Sequence, residues 1–461
     1  MTSDAQNLLL TFYGDDFTGS ADAMEALSLN GVRAGLFLAT PSPEEWRGRF
    51  ANLQAVGVAG ISRTMTPAQM DESLPDIFRK IKELGAPVFH YKVCSTFDSS
   101  PEVGNIGRAI EIGGRIFDSQ FVPLVVGAPP LGRYCLFGNL FARVGDTTFR
   151  IDRHPTMSRH PVTPMDEGDL RIHLSKQTKM RTVSFNILQL TGTPAEVDGR
   201  FDDFLADSRN DSGKGEPTII LFDVLDDARL AETGRLIWAQ RGQKPSFVAG
   251  SSGVEYAFAA HWRETGVTPG DCAPVVSPGA VEQIIVVTGS CSPVTGRQIE
   301  WALTHGFSGI ELDAAKLADA EHASGECEVI VRKSLDALAT GRSVILHTAM
   351  GPDDPRITMP ERKSVARPLG ERLGEQLGLI LRELLETTGL RRAVVAGGDT
   401  AGFTTRQLGI YALELLTPIA PGSPLCRASS HHAALDGLEI ALKGGQGGSE
   451  NYFEHVRCGA A

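Results

Sequence analysis

Two adjacent carboxylates, Asp15 and Asp16, stand between a short apolar run, Leu8 to Tyr13, and the small residues Thr18, Gly19 and Ser20, which open a helical pattern reaching Leu27. A carboxylate at a strand end can take a proton from a hydroxyl, and a helix N-terminus can hold an anion. The same residues also make a plain Asx turn with an N-cap Asp. Ser62 and Arg63 follow a second apolar run, Val56 to Ala59. An arginine there can clamp a carboxylate through two parallel hydrogen bonds, although any single arginine also reads as a surface residue. A third segment, Tyr91 to Ser99, brings together a cation (Lys92), hydroxyls (Ser95, Thr96) and a carboxylate (Asp98) past another apolar run. It is too rich in turn formers to be core, and a polar loop is its bland alternative.

The second half of the chain supplies small-residue turns. They are Thr288 to Pro293 with Ser290 and Ser292, Ala396 to Gly402 with Gly397, Gly398, Asp399 and Thr400, and Leu442 to Gly448 with Gly444 and Gly445. Ala249 to Gly253, in the first half, is of the same kind. Such turns expose backbone N–H groups to an anion, and equally serve as ordinary tight turns. Neither G-x-x-x-x-G-K-[ST] nor G-x-G-x-x-G occurs, so neither a P-loop nor a dinucleotide fingerprint applies. A nucleotide here has no Walker lysine and must be met mainly by backbone N–H groups. His154 and His160, six apart without an acidic or Cys partner at ligand spacing, read as hydrogen-bonding residues rather than a metal pair. His431 and His432 read as a solvated pair, and Cys291 as a small buried side chain.

The elements that must position these groups follow from periodicity. Apolar runs at Leu8 to Tyr13, Val56 to Ala59, Val88 to Val93 and Val122 to Val126 alternate with helical patterns, one of which starts at Thr66-Pro67-Ala68-Gln69 with the residues of a capping box. That alternation predicts βαβ units and parallel sheets, with ligands at the carboxyl ends of the strands. Thr147 to Asp211 is less regular. Strands are expected again at Ile219 to Phe222 and Phe247 to Ala249. A Pro/Gly-rich stretch, 265–279, reads as a linker. Beyond it a second α/β pattern has strands at Ile284 to Thr288, Val344 to His347 and Ala393 to Ala396, and a long helix from Leu369 to Leu385. With 461 residues, more than one core is expected. The expected architecture is therefore α/β: two domains, 1–264 and 280–461, with mostly parallel sheets and a site in the cleft between them.

Composition narrows the function classes. Net charge is −12 and no basic stripe is visible, which argues against nucleic acid. No apolar run approaches a membrane span, and the N-terminus lacks the regions of a signal peptide. Seven scattered cysteines with no C-x-x-C fit a reducing cytoplasm better than a disulfide framework or a zinc site. A homodimer is compatible with these features.

Taken in order, the segments resemble the four-carbon acid sugar kinases, a family that includes threonate, erythronate and oxo-tetronate kinases. The resemblance rests on Gly14 to Asp22, Ser62-Arg63, Tyr91 to Thr96, Gly104-Asn105, His160 to Met165, Gly250 to Gly253, Gly289 to Thr295, Gly397 to Thr400 and Leu442 to Gly448. It implies an N-terminal domain that binds a sugar acid, a C-terminal domain that binds ATP with Mg2+, and a role in carbohydrate catabolism. On the substrate side it carries over to Asp15, Asp16, Ser62, Arg63, Lys92 and Ser95. On the nucleotide side it carries over to Ser290, Ser292, Gly397, Gly398, Asp399, Thr400, Gly444 and Gly445. In this reading Asp16 accepts the substrate hydroxyl proton, Arg63 and Lys92 hold the substrate carboxylate or the migrating phosphate, and Asp399 serves magnesium or the ribose. Many members read K-x-D-S-T-L-R-G-N at the third segment. Here the acid has moved or been replaced by Cys94 and the arginine is missing, which suggests a variant acid, keto or branched. The alternatives are a non-catalytic sugar-acid sensor and a nucleotide-independent lyase.

Overall fold

The computed structural model describes residues 8–160, 162–211, 217–269, 275–357 and 369–460; the side chains of 43, 47, 209–211 and 399 lie outside the description. The chain forms two compact units. One comprises 1–35 and 39–273, the other 36–38 and 274–461.

In the first unit seven strands run parallel in the order β3-β1-β4-β11-β5-β10-β9. They are β1 (Leu10–Gly14), β3 (Ala55–Ala59), β4 (Val88–Lys92), β5 (Phe121–Val125), β9 (Thr182–Phe185), β10 (Thr218–Phe222) and β11 (Ser246–Gly250). β1, β4 and β10 are buried along their whole length, as strands covered on both faces must be. β2 (Ala34–Phe37) ends in a segment, Leu36–Leu38, that groups with the second unit, where the Leu38 N–H donates to the Tyr411 carbonyl. The helix Pro67–Lys82 begins with the expected capping box: the Thr66 hydroxyl accepts from the Gln69 N–H and the Gln69 side chain accepts from the Thr66 N–H. It buries Met70, Leu74, Phe78 and Ile81 against the sheet, where Phe78, Phe89, Phe117 and Phe247 pack ring on ring.

The stretch expected to be irregular contains more structure than its sequence pattern suggests. A three-stranded antiparallel meander, β6 (Arg133–Leu136), β7 (Asn139–Val144) and β8 (Thr147–Arg150), runs into it, β8 being its first four residues, and the helix Pro194–Asp211 closes it. Short strands joined by two- or three-residue turns carry too little periodicity to be read from sequence. The meander is fixed to the sheet by Asp223, at the end of β10. Its buried carboxylate accepts from the N–H groups of Phe137 (2.5 Å), Gly138 (3.0 Å) and Ile187 (3.0 Å).

In the second unit the order is β13-β14-β12-β15-β18-β17-β16. β12 (Ile285–Thr288), β13 (Ser308–Glu311), β14 (Val344–His347), β15 (Arg392–Ala396) and β18 (Glu439–Lys443) are mutually parallel; β16 (Ile410–Thr417) and β17 (Leu425–Ser430) add antiparallel pairs. The long helix spans Leu369–Thr388 and buries one apolar stripe. Among the described residues no helix is long and apolar enough to cross a membrane.

Removing the Asp223 carboxylate takes the acceptor from three N–H groups, that of Gly138 buried and those of Phe137 and Ile187 partly so; a buried group left unsatisfied costs about 1–3 kcal/mol. Asp223→Ala is expected to lower unfolding free energy by about 2–3 kcal/mol, read from urea melts. A change under about 1 kcal/mol would show that the meander does not depend on this anchor.

Candidate active site

Parallel pairing sets the first group of side chains. β1 lies between β3 and β4, with Gly14 opposite Ala59 on one side and Lys92 on the other. Past the strand ends the backbone stays coupled: the Asp15 N–H donates to the Lys92 carbonyl, Gly60 N–H to Gly14, and Arg63 N–H to Asp15. Arg63 is thereby delivered to both carboxylates. Its Nε and Nη2 donate to Asp15 at 3.2 and 2.9 Å, and its Nη1 donates to Asp16 at 2.8 Å. Asp16 also caps the helix Phe17–Leu29, accepting from the Gly19 N–H at 2.7 Å. Gly104 abuts the Arg63 backbone: a Cβ there would come within 2.6 Å of the Arg63 carbonyl. Asn105 caps the helix Ile106–Ile116 through the Arg108 N–H.

The two carboxylates differ in exposure. The Asp15 side chain is 4% exposed and that of Asp16 is 27%. One guanidinium faces two acids, so one negative charge is left over, and it weighs on the buried group. Burial pushes Asp15 from 3.8 to about 6; Arg63 pulls it back and Asp16 pushes it further up. Burial works against the Arg63 charge, yet Asp15 and Asp16 hold it well above the ordinary arginine range.

The remaining substrate-side residues fall beneath or beside this pair. The Ser62 hydroxyl is fully buried and bonds Tyr91 Oη at 3.0 Å. Lys92 is buried as well. It donates to the Val93 carbonyl at 3.0 Å and sits 3.4 Å from Asp22, an acid that the sequence reading passed over. Burial lowers its basicity, but Asp22 foremost raises it above the ordinary value. Ser95 is half-buried in the loop that follows. In that loop Thr96 donates to Asp98 at 2.5 Å, and the Cys94 thiol is pushed up by burial. Asp98 acts on the Arg63 charge, so a carboxylate stands beside it four residues past the position that Cys94 occupies. His154 and His160 accept hydrogen bonds from nearby N–H groups through Nδ1. In the turn after β11 the Ser251 hydroxyl donates to the Val126 carbonyl at 2.7 Å and accepts from the Gly253 N–H, which closes the turn on itself.

In the second unit three strand-to-helix turns converge. A Cβ on Gly289 would meet Thr400 Oγ1 at 2.6 Å, and one on Gly397 would meet it at 3.0 Å and the Ser290 nitrogen at 3.5 Å. One on Gly445 would meet Ser290 Oγ at 2.8 Å and Ser292 Cβ at 2.9 Å. Ser290, Ser292, Gly397, Thr400 and Gly445 therefore line one small region at the carboxyl ends of β12, β15 and β18, with Gly444 beside it. Ser292 caps the helix Pro293–Thr304 through the Val294 N–H. Gly397 has φ +119°, which only glycine adopts readily. Gly398, the first residue of the helix Gly398–Gln407, faces open space. The Asp399 side chain lies outside the described residues. Lys443, at the end of β18, is fully buried and donates to Thr295 Oγ1 at 3.1 Å. It too was passed over, although a lysine closing an apolar strand just before Gly-Gly was a readable signal.

A sugar-binding N-terminal domain model matches residues 10–258, and a nucleotide-binding C-terminal domain model matches 285–453. The 3-oxo-isoapionate kinase of Paraburkholderia graminis is 48% identical over 98% of this chain and 94% of its own length. The 3-oxo-tetronate kinase of Cupriavidus necator is 29% identical, covering 98% and 97%. Among solved structures, a Salmonella typhimurium LT2 protein (TM-score 0.75, 23% identity, 97% and 98% covered) and a Haemophilus influenzae protein (TM-score 0.71, 23% identity, 97% and 99% covered) share the fold. Fold and site together define a sugar-acid kinase of the α/β class. The chain belongs to the four-carbon acid sugar kinase family, and kinase membership implies use of ATP.

The raised Asp15 value makes stability depend on pH with a definite sign. A carboxyl whose folded value lies above its ordinary one stabilises the fold below about 3.8, and that stabilisation is lost as pH rises through about 6. Asp15→Asn removes the ionisation. Between pH 4 and pH 7 the wild type is expected to lose roughly 2 kcal/mol relative to the variant. Urea unfolding at both pH values measures it, and a pH-independent difference would count against the assignment.

Proposed function

We propose that the chain transfers the γ-phosphoryl group of ATP to a hydroxyl of a 3-oxo sugar acid. The observation that carries this reading is the Asp15–Arg63–Asp16 arrangement. Asp15 is buried and engaged by two guanidinium nitrogens, which leaves Asp16 as the more open carboxylate. Asp16 then accepts the proton of the attacking hydroxyl, a task that needs hydrogen-bond reach before it needs a tuned acidity. Arg63 uses three of its five N–H groups on the two acids and offers the others to the substrate's carboxylate or to the migrating phosphoryl group. Lys92 supports the site from below, through Asp22 and the Val93 carbonyl. Phosphoryl transfer asks mainly for positioning and charge stabilisation, and these groups supply both.

The choice of a 3-oxo acid rests on the two kinases named above, the more similar of which acts on 3-oxo-isoapionate. It is also supported by Cys94, which puts a neutral thiol where many family members carry an acid. In the second unit the converging turns around Gly397, Gly444 and Gly445 hold the ATP phosphates on N–H groups, with Ser290, Ser292 and Thr400 hydroxyls beside them. Magnesium accompanies the phosphates. Among the described residues no three acidic, His or Cys side chains gather to hold a metal. Magnesium takes few protein ligands beside phosphates and water, and the Ser290 and Thr400 hydroxyls are oxygen donors of the right kind. The sensor and lyase alternatives find no support in the named relatives, which are kinases. The proposed setting is the cytoplasm.

Asp16→Asn tests the base. Asn is as good an N-cap as Asp, so the helix Phe17–Leu29 should survive, while ADP release with 3-oxo-tetronate or 3-oxo-isoapionate should fall by about 10²–10⁴. Near-normal turnover would remove Asp16 from the base role. For the nucleotide, Gly398→Val adds a side chain in open space, so folding should be untouched. The KM for ATP is expected to rise at least about tenfold, a loss of about 1.4 kcal/mol of binding, with sugar-acid binding unchanged. An unaltered KM in the folded variant would move the phosphate cradle away from this turn.

A further inference from the structure

Lys443 is anomalous among the buried charges of the chain. Its side chain is fully enclosed, yet its direct partners are a hydroxyl, Thr295 Oγ1 at 3.1 Å, and the face of the Tyr452 ring 5.8 Å away. Among the described residues no salt bridge reaches it. The other buried amine, Lys92, has Asp22 beside it. Taking an unpaired ammonium out of water is costly, and burial pushes Lys443 down to about 8 with no acid raising it back. The residue is also tied to the turns at the strand ends: Thr295 Oγ1 donates to the Gly445 carbonyl at 3.0 Å, and the backbone runs directly from Lys443 into Gly444.

We propose that Lys443 is a positioning residue of the nucleotide site, whose ammonium fixes the Gly444–Gly445 turn through Thr295 and receives its counter-charge only from a bound nucleotide's phosphates. This rests on the nucleotide reading given above. The groups packed around the amine are Thr295 from the helix Pro293–Thr304 and Tyr452 from the helix Tyr452–Cys458. The only acid of the adjoining helix Gly398–Gln407 is Asp399. A polyanion brought near a partly deprotonated amine restores its proton, so nucleotide binding above pH 8 draws a proton from solution. At pH 8.5 an amine of about 8 is mostly neutral, and the uptake approaches roughly three-quarters of a proton per site.

The test is calorimetric titration of ADP into the full chain at pH 8.5, in two buffers of different ionisation enthalpy. The wild type should bind ADP with uptake near that value. Lys443→Met keeps the volume of the side chain without its charge, and should bind at least tenfold more weakly with no uptake. Thr295→Val should weaken binding while keeping the uptake, which a purely structural lysine would not produce. Asp399→Asn should also keep it; loss of uptake there would make Asp399 the counter-charge and overturn the proposal. Wild-type binding without uptake, or K443M binding as wild type, overturns it too and leaves the nucleotide reading standing. Failure of the wild type to bind ADP overturns both.

Discussion

A single guanidinium set between two carboxylates imposes most of the constraints on the first unit. Arg63 can neutralise only one of Asp15 and Asp16, and both sit where parallel strands end, at the edge of a fully buried sheet. Such a triad is tolerable only if every donor is aimed. The aim comes from the backbone, since the N–H of Arg63 is bound to the carbonyl of Asp15 and the N–H of Asp15 to the carbonyl of Lys92. A shift of either loop by one residue would leave a buried acid without its partner. Burial first, and the neighbouring Asp16 charge after it, hold the Asp15 carboxyl above its ordinary value, while the Asp16 side chain is the more exposed of the two.

The second unit poses the reverse electrostatic problem. Its turns after β12, β15 and β18 offer small residues, hydroxyls and backbone N–H groups, and behind them stands a lysine with no acid beside it among the described residues. The first unit thus holds more negative charge than its local cations neutralise, and the second holds positive charge that its own residues leave unbalanced. In the proposed function one set of groups deprotonates an acceptor and the other cradles a polyanion, and this asymmetry would serve both.

The departure at the third segment takes a physical form in the fold. Where Cys94 replaces an acid, the thiol is held neutral by burial, while Asp98, bonded by Thr96, supplies a carboxylate close enough to act on Arg63. Asp98 stands where many family members carry the arginine of the segment, so the charge beside Arg63 becomes more negative. The two named relatives act on different 3-oxo acids.

The sequence alone determined the α/β class, the strands at Leu8 to Tyr13, Val88 to Val93, Ile284 to Thr288 and Ala393 to Ala396, and the residue types past their ends. Those features are local: strand and helix periods, a capping box at Thr66 and Gln69, and small residues at turns all act over a few positions. Tertiary structure decided which neighbours meet. Ser62 looked available in sequence, and the fold buries it against Tyr91; Lys92 looked like an open cation, and the fold closes it on Asp22. The meander from Arg133 to Arg150 and the antiparallel β16 and β17 escaped because short strands have little period of their own and are held by distant partners such as Asp223. Lys443 escaped for the same reason. Its spacing says only that a lysine ends a strand; that its amine is enclosed against Thr295 depends on a contact 148 residues apart in the chain.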